Sequence, residues 1–568
     1  MALRARLAAP TPEVRQDWPW HQAKWTSLAS HLLWSGDRRM EAENYLSSGY
    51  GLRLAIQSRA AGWQRLGQMA SIWQPSRLKG IQVSPDFGTP FLAATQVFDI
   101  RPVARKWLAL ERTHEAEDRF VAPGTIVVTC SGAVGRATLA HAPHERILIS
   151  HDLLRVAAND SEQWGWIYAY LRSPQARGMM SGAQYGHIIK HLETSHLEAL
   201  PVPVVNEKRA REFHRQTSEI LDLRNRAHQL SIEAEESFES ALDLLKVKDW
   251  GEDGYSCRAS SMFAGRRRLE GVFHNPGVAA IRRHLSKRGN GFTTLREAGF
   301  DVWLPARFRR LPAEDGVDFL DSADLFETNP DHTKRIAEGD FGDPYKGRVK
   351  AGWLLLARSG QTYGINGSVT IATEALEGKV VSDHVIRIAP KEKQEIRVGY
   401  LHVALSHPRL GRALVKALAY GSSIPEIDPT DFAQLQIVRL SPKQETAIAD
   451  LAEKSAALRA RADVLERKMA GAAGDLVDQF IAGDIVDFVT TMPTMTTSRP
   501  SGSASALPEH ARVRLLRAFP DVGLAGGATG TIVFVYEGGE DYEVEFLEGK
   551  SRPVVLTVEA SDVALVEE

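Results

Sequence analysis

The sequence predicts an α+β fold: two pseudo-twofold-related globular domains joined by two long antiparallel coiled-coil helices, plus a small C-terminal β-barrel. Three observations indicate this fold. The chain repeats itself over residues 38–246 and 267–482, each copy ends in a long segment with a heptad pattern, and strand-like runs follow a linker near the C-terminus. A chain of 568 residues has room for about three or four domains of ordinary size.

The repeat is diverged, and it is recognised by short motifs that recur in the same order at a slowly changing offset. The motif RRME at 38–41 corresponds to RRLE at 267–270, an offset of 267 − 38 = 229 residues. The YG pair at 185–186 corresponds to the YG pair at 420–421, an offset of 420 − 185 = 235 residues. Such a small change over a whole copy indicates loop insertions. Two copies of one plan usually pack through equivalent surfaces, so we expect a pseudo-twofold object.

Each copy closes with the pattern of a long helix. Apolar residues recur there at steps of three and four, the spacing of a coiled-coil seam. In the first copy the positions are Phe213, Ile220, Leu223, Ala227, Leu230, Ala234, Phe238, Leu242 and Leu245. In the second copy they are Ile448, Leu451, Ser455, Leu458, Ala462, Leu465, Met469, Ala472, Leu476 and Phe480. Ser441 before Pro442 fits an N-cap followed by proline in the first helical turn.

Two helices with one narrow apolar stripe each are expected to pair antiparallel with each other. About 40 residues at 1.5 Å per residue make a rod of roughly 60 Å, which would hold the two globular domains about one helix length apart. The alternative is that each helix packs on its own globular domain, which usually requires a broader stripe.

The predicted organisation has seven parts. They are an N-terminal Trp-rich extension (1–34), a first globular domain (35–203), a first long helix (204–248), a second globular domain (260–440), a second long helix (441–484), a linker (485–507) and a small acidic β-barrel (508–568). In the last part, strand-like runs separated by a Gly-Gly turn resemble an SH3-like barrel. Its acidic character favours contact with a protein over contact with DNA, and an inert appendage is the alternative.

Composition excludes several classes of protein. The sequence is 43% hydrophobic and 25% charged, which is ordinary for a soluble globular protein. No apolar run approaches the ~18 residues that a membrane-spanning helix needs, and the N-terminus lacks the apolar core of a signal peptide. Two cysteines, Cys130 and Cys257, are too few for a disulfide framework. We therefore expect a cytoplasmic protein without membrane contact.

Charge is segregated along the chain although its formal sum is only −2. Residues 261–310 are rich in arginine and lysine, and the last sixty residues are acidic. A basic cluster can bind nucleic acid, or it can be a solvated charged face.

The order of these parts resembles the specificity subunit of type I restriction-modification enzymes. The resemblance is carried by the helix entries LPVPVVNEKRAREF at 200–213 and IVRLSPKQETAIADL at 437–451, by hairpins ending in SG at 131–132 and 359–360, and by the two YG pairs. It covers residues ~35–485. The second helix entry, Leu440-Ser441-Pro442, departs from the family's Pro-x-Pro, and the first SG segment lacks the Asn-containing stretch at 364–367.

This resemblance implies a non-catalytic protein that supplies DNA sequence specificity. In that family the globular units are target recognition domains, each reading half of a split double-stranded DNA site, and the helices set the spacing. Two modification subunits bring S-adenosylmethionine and methylate adenine, and restriction subunits bring ATP and Mg²⁺ for translocation and cleavage. The chain itself is expected to hold no cofactor and no metal.

DNA reading requires Lys and Arg for phosphates, and polar side chains on loops for base edges. Candidates in the first copy are Arg77, Lys79, Arg101, Arg105, Lys106, Gln184, Tyr185, His187 and Lys190. Candidates in the second copy are Arg307, Arg309, Arg310, Lys346, Arg348, Lys350, Gln361, Tyr363, Asn366, Tyr420 and Ser422. The match of Pro75-Ser76-Arg77 with Pro305-Ala306-Arg307 supports these candidates more strongly than amino-acid composition alone does. Any one of them can still be an ordinary surface residue.

No catalytic constellation is found in the sequence. The Asn/Asp-Pro-Pro-aromatic motif of a methyltransferase and the G-x-x-x-x-G-K-[ST] phosphate loop do not occur. His187 and His191 stand four apart, as two metal ligands can, but they lack a third ligand. Asp331, Glu377 and Lys379 are too widely spaced to indicate a nuclease. A coiled-coil adaptor that binds only proteins is the alternative function, and DNA binding separates it from a specificity subunit.

Overall fold

The computed structural model describes residues 45, 48–183, 191–243, 254–263, 268–330, 334–339, 347–361, 364–489, 507–508, 511–519, 524–535, 541–546 and 554–566. By its internal contacts the chain divides into two compact units, Met1–Thr491 and Met492–Glu568. The predicted Trp-rich extension lies outside the described residues, as do the candidates Gln184, Tyr185, His187, Lys190, Lys346 and Tyr363.

In its described residues, the first copy of the repeat combines ten strands with helices. The strands are β1 Trp63–Arg65, β2 Ala70–Trp73, β3 Gln82–Val83, β4 Thr89–Leu92, β5 Lys106–Leu108, β6 Ile126–Thr129, β7 Ala137–Leu139, β8 Leu148–Ile149, β9 Leu153–Ala158 and β10 Pro201–Pro203. The longer helices are α1 Ser48–Gln57, α2 Trp164–Arg172, α3 Pro174–Ala183 and α4 Glu207–Ala241. Shorter helices are Leu66–Met69, Ala116–Arg119 and Thr194–Glu198.

The part of the second copy that the structure describes has nine strands. They are β11 Phe292–Thr294, β12 Phe300–Trp303, β13 Pro312–Leu320, β14 Arg335–Ile336, β15 Leu354–Ala357, β16 Val369–Ile371, β17 Val380–Val381, β18 Val385–Pro390 and β19 Gln436–Val438. Its longer helices are α5 Pro276–Arg288, α6 Val398–Ser406 and α7 Pro442–Ala482. Shorter helices of this copy are Gly411–Lys416 and Pro429–Ala433, and a further short helix, Ala259–Met262, precedes it.

Sheet topology repeats between the copies. A four-stranded antiparallel sheet has the order β2-β9-β6-β7 in the first copy and β12-β18-β15-β16 in the second. Two-stranded sheets pair β1 with β10 and β11 with β19, and the second strand of each pair lies just before the long helix of its copy. A parallel pair recurs as well, β4 with β8 and β13 with β17. The internal repeat inferred from short motifs is therefore a repeat of structure.

One inner strand of each four-stranded sheet, β6 in the first copy and β15 in the second, is covered on both faces. Ile126 and Val128 of β6 belong to the core shared with the helices, whereas Val127 belongs to a smaller core under the loops. In β15, Leu354 and Leu356 face the helices and Leu355 faces the loops. Because successive side chains point to opposite faces, a strand buried on both sides is apolar at every position.

The long helices begin at strong caps. The Asn206 side chain accepts a hydrogen bond from the Arg209 amide at the start of α4, which is 35 residues long. At the start of α7, Ser441 and Gln444 form a reciprocal capping box, with Pro442 in the first turn. Helix α7 runs for 41 residues and stops at Gly483, whose φ of 102° favours glycine.

Helices α4 and α7 pack antiparallel along their length. Ser231 Oγ lies 2.7 Å from Ser455 Oγ, and Thr217 Oγ1 donates to Met469 Sδ at 3.3 Å. Residue numbers that rise along α4 thus meet numbers that fall along α7, which defines an antiparallel pair.

The buried stripe is broader than a simple seam. Leu451, Leu458 and Leu465 of the predicted seam are only half buried and Ala472 is exposed. Instead the buried positions of α7 include Ala449, Ala452, Ala456, Ala473 and Val477. The reason is that the globular parts also cover the helices. Near its start α4 packs Phe213 on Trp166, with ring centroids 5.1 Å apart, and near its end it packs Phe238 on Tyr400, 6.0 Å apart.

Glycines allow these close approaches in both copies. A Cβ on Gly165 of α2 would lie 2.3 Å from the His214 amide nitrogen of α4. A Cβ on Gly399 of α6 would lie 2.5 Å from the Ala449 carbonyl oxygen of α7. The two helices α2 and α6 therefore dock on α4 and α7 in the same way.

The globular parts of the two copies also touch each other. The Ile100 amide donates to the Phe326 carbonyl at 2.8 Å, and the Thr328 amide donates to the Phe98 carbonyl at 2.6 Å. Arg136 forms an ion pair of 2.7 Å with Glu327. The expectation that the helices hold the two parts a full helix length apart is therefore wrong, because loops bridge the space beside the helices.

Five antiparallel strands lie in the described residues of the second unit. They are β20 Arg512–Leu515, β21 Thr529–Val535, β22 Asp541–Phe546, β23 Val554–Glu559 and β24 Val563–Leu565, in the sheet order β23-β22-β21-β20-β24. Val513, Ile532 and Val544 lie in its core. Within the described residues β23 and β24 stand at the two edges without pairing, so a closed barrel is not found.

In the part of the chain that the structure describes, no helix is long and apolar enough to span a membrane.

Candidate nucleic-acid interface

Four loops meet at one end of the sheet in the second copy. They are the segment after β12 (304–311), the SG loop after β15 (358–361), the turn before β18 (382–384) and the YG loop (420–426). We call this set the second loop cluster. Three of these loops follow or precede a strand of the four-stranded sheet, whereas the YG loop lies between the short helices Gly411–Lys416 and Pro429–Ala433.

A chain of hydrogen bonds joins these loops. Ser359 Oγ lies 3.1 Å from His384 Nδ1 and donates to Glu426 Oε1 at 3.2 Å. Gln361 Nε2 donates to the Ser423 carbonyl at 2.9 Å. Gly360 has a φ of 132°, a conformation that only glycine adopts easily. The second loop cluster is thus a connected polar surface rather than four independent loops.

The first copy has an equivalent first loop cluster, formed by 74–79, 130–135, 150–152 and the end of the YG loop at 191–192. Ser131 Oγ donates to Asp152 Oδ1 at 3.2 Å and lies 3.3 Å from His191 Nδ1. Gln74 Nε2 donates to the His151 carbonyl at 2.7 Å. Ser131 thus joins the SG loop to the two neighbouring loops, as Ser359 does in the second copy.

Exposed cations stand on both clusters at matching positions. Arg77 follows β2 through the buried Pro75, and Arg307 follows β12 through the buried Pro305. In the described part of the chain, six of the predicted cations are exposed and form no ion pair. They are Arg77, Lys79, Lys106, Arg307, Arg309 and Lys350. Unpaired cations on a protein surface are available to phosphates.

Three other predicted cations already have anionic partners. Arg101 pairs with Glu235 of α4, Arg310 with Asp383, and Arg348 with Glu338. Arg310 also lies over the ring of Phe319, 5.2 Å from its centroid. Their charges are largely neutralised, so the sequence-based assignment of these three to phosphate contacts is not supported.

Asn366 is a clear correction. Its side chain is fully buried, and Nδ2 donates to the carbonyls of Arg358 and Pro425 at 2.9 Å each. It ties the SG loop to the YG loop and cannot reach a base. Gln361 and Ser422 are exposed, Tyr420 is half buried, and Arg105 is exposed in the cleft between the copies.

A buried ionic network at the centre of the helix pair was not predicted from the sequence. Arg224 of α4 donates to Glu466 of α7 at 2.7 Å, and both side chains are buried. Tyr168 of α2 and Asn329 of the second copy also donate to this carboxylate. Although burial opposes ionisation, Arg224 and Arg172 lower the pKa of Glu466. The network joins both helices and both copies.

A shared motif in the two long helices could have indicated this network. LRNRAHQL at 223–230 matches LRARADVL at 458–465, an offset of 458 − 223 = 235 residues. An arginine next to the heptad seam in both copies indicates a buried side chain that has an anionic partner.

Among the described residues, no group of three or more His, Cys, Asp or Glu side chains could hold a metal ion.

Comparison with known proteins gives matches to two different parts of the chain. The family model of a domain of unknown function, DUF4926, matches residues 509–562. No curated protein matches the chain.

Solved structures that resemble the chain include specificity subunits. The type I restriction-modification system S subunit from M. genitalium is 14% identical, with 77% of this chain and 98% of that chain covered and a TM-score of 0.27. The HsdS subunit from Thermoanaerobacter tengcongensis is 13% identical, with 75% and 98% covered and a TM-score of 0.22. The type IIG restriction endonuclease BpuSI is 13% identical over 31% of this chain and 28% of its own, with a TM-score of 0.23.

Proposed function

We propose that this chain is a non-catalytic DNA-specificity subunit of a type I restriction-modification system or a related phage-defence complex. It recognises a bipartite double-stranded DNA site through two target recognition domains. It recruits adenine-methyltransferase subunits, which carry S-adenosylmethionine, and restriction subunits where the system has them.

The duplicated loop cluster is the observation that supports this proposal most strongly. The same loops meet in each copy, Ser131 and Ser359 connect them, and Arg77 and Arg307 stand at matching exposed positions. Polar loops on a rigid sheet, flanked by cations for phosphates, are what base reading requires. Two such surfaces in one chain suit a site with two halves.

The rest of the fold suits fixed spacing between those halves. Helices α4 and α7 run through both copies, and the contacts of Ile100 with Phe326 and of Thr328 with Phe98 join the globular parts directly. Two readers held in this way would accept one spacer length. Equivalent surfaces in the two copies would also recruit two equivalent methyltransferase subunits.

A binding experiment tests the proposal. Duplex DNA carrying degenerate sequence is titrated with the purified chain, alone and with a cognate methyltransferase, at several salt concentrations. We expect affinity to fall steeply with salt, because Lys and Arg displace counterions from phosphates. Arg77→Ala and Arg307→Ala should each weaken binding and reduce the log–log salt slope by about 0.9 if each removes one phosphate contact.

Arg215→Ala is the matched control, since Arg215 is exposed on α4 away from both loop clusters. It should leave both affinity and slope unchanged. Salt-independent or absent DNA binding, with the methyltransferase present, would favour the alternative of a coiled-coil adaptor that binds only proteins.

A further inference from the structure

A cavity of about 300 Å³ lies in the cleft between the two copies, beside the helix pair. Its walls come from the segment after Phe98, from α4 and α7, and from α6 of the second copy. It is separate from both loop clusters. A volume of this size is at the lower end of pockets that hold small molecules.

The cavity occupies the position that the Arg224–Glu466 network occupies in the first copy. The repeat of the long helices places Arg459 at the equivalent of Arg224, since 224 + 235 = 459. The same offset places Ser231 at the equivalent of Glu466, since 466 − 235 = 231. Arg459 and Ser231 both line the cavity. The arginine is kept in this copy, but the carboxylate that pairs with it is replaced by a small hydroxyl.

Arg459 forms no ion pair within 4.0 Å among the described residues, and Asp463, whose charge acts on Arg459, pairs with Arg224 at 3.7 Å. Arg459 is half buried, and burial lowers its pKa to about 10. His402 of α6 is the counterpart of Tyr168, which donates to Glu466 in the first copy. The buried Nδ1 atom of His402 has no hydrogen-bond partner among the described residues. His402 Nε2 donates to the Val369 carbonyl at 3.3 Å and burial lowers the pKa of this imidazole to about 4, so Nδ1 is an acceptor and does not bind an anion. Arg459 is therefore the group that faces the position of the missing carboxylate.

Further cations surround the same space. Arg101, Arg105, Arg412 and Lys416 line it together with Arg459, against two carboxylates, Asp99 and Glu235. Glu235 pairs with Arg101. Burial raises the pKa of Asp99 to about 7, so this carboxylate is partly neutral near physiological pH. Among the described residues that line the cavity, cationic side chains therefore outnumber carboxylates.

We propose that this cavity binds a small phosphate-bearing molecule of about mononucleotide size, whose phosphate takes the place that the Glu466 carboxylate has in the first copy. Arginine suits phosphate because its planar donors form paired hydrogen bonds. Apolar side chains such as Phe326, Val403 and Ile365 on the same walls can contact a base or sugar. The inference is independent of DNA binding by the loop clusters.

The test uses the full chain without DNA. Thermal unfolding and calorimetry are measured with AMP, with inorganic phosphate and with adenosine. We expect AMP to bind, to raise the unfolding temperature and to be displaced by phosphate, and adenosine to bind at least about tenfold more weakly. Absence of binding by AMP and by phosphate at millimolar concentration would overturn the proposal.

Ser231→Glu supplies the missing carboxylate from the protein itself. This variant should unfold at a higher temperature than the wild type without ligand, and its affinity for AMP should fall by about tenfold or more. Ser231→Gln, of nearly equal size but uncharged, separates charge from steric blockage and should raise the unfolding temperature less.

Arg461→Ala is the matched control, because Arg461 lies on α7 two residues from Arg459 but is 66% exposed. Arg461→Ala should bind AMP normally, and retention of full AMP affinity by Ser231→Glu would place the site elsewhere.

Discussion

Arg155 and Arg387 occupy equivalent positions in the two copies and make the same backbone hydrogen bonds. Arg155 donates to the carbonyls of Ile149, Ser150 and Leu153, and Arg387 donates to those of Val381, Ser382 and Val385. Both side chains are fully buried. Each arginine thus closes the turn before the last strand of its sheet, the turn that contributes to its loop cluster.

Replacing either arginine should destabilise its copy. Arg155→Leu and Arg387→Leu leave buried carbonyls without donors, at a cost of ~1–3 kcal/mol for each unsatisfied group. We expect a lower unfolding temperature for both variants in circular dichroism or calorimetry. Arg296→Leu, at an exposed position of the second copy, is the control and should unfold like the wild type. Equal stability of Arg387→Leu and the control would contradict the structural role.

The Arg224–Glu466 pair should behave differently when one partner or both are replaced. Arg224→Met leaves the Glu466 carboxylate buried with fewer donors, and breaking a buried pair costs ~3–5 kcal/mol. The double variant Arg224→Met with Glu466→Met removes both charges and should recover part of that loss. Denaturant unfolding of the four proteins in the cycle measures the coupling. Additive effects of the two substitutions would show that the pair does not stabilise the fold cooperatively.

Acid should destabilise the first copy through its buried histidines. A histidine in an unfolded chain has a pKa of ~6.5, and burial lowers the pKa of His144 to about 4. Between these values the unfolded chain binds more protons than the folded chain, so the free energy of unfolding decreases as pH falls from ~6.5 to ~4. A shift of this size corresponds to about 3 kcal/mol.

Unfolding measured across this pH range checks the prediction with His144→Gln. The variant should show a weaker pH dependence than the wild type, because it has one fewer group to protonate on unfolding. His114→Gln, at an exposed position, serves as the control. An unchanged slope for His144→Gln would mean that His144 is not held neutral by burial.

The candidate site could be predicted only in part, for reasons visible in single residues. The correspondence of Arg77 with Arg307 could be inferred from the chain, because a proline after a strand places the following residues in a loop. The role of Asn366 could not be inferred, since a polar residue in a loop can point to solvent or to buried carbonyls. Arg101 and Arg310 had the correct charge for phosphate contact, but their partners Glu235 and Asp383 are distant in sequence.

Local chemistry in the sequence determined the caps and course of the two long helices, the apolar strands and the existence of a repeat. These features depend on near neighbours: Ser441, Pro442 and Gln444 form a capping box without help from the rest of the chain. Only the tertiary structure decided which polar residues are buried and which are paired. Arg224 and Arg459 belong to the same motif, yet one faces Glu466 and the other a cavity, because the residue opposite each arginine comes from the other helix. Long-range packing sets such pairings, and the shared motif indicates a buried arginine without identifying the residue that faces it.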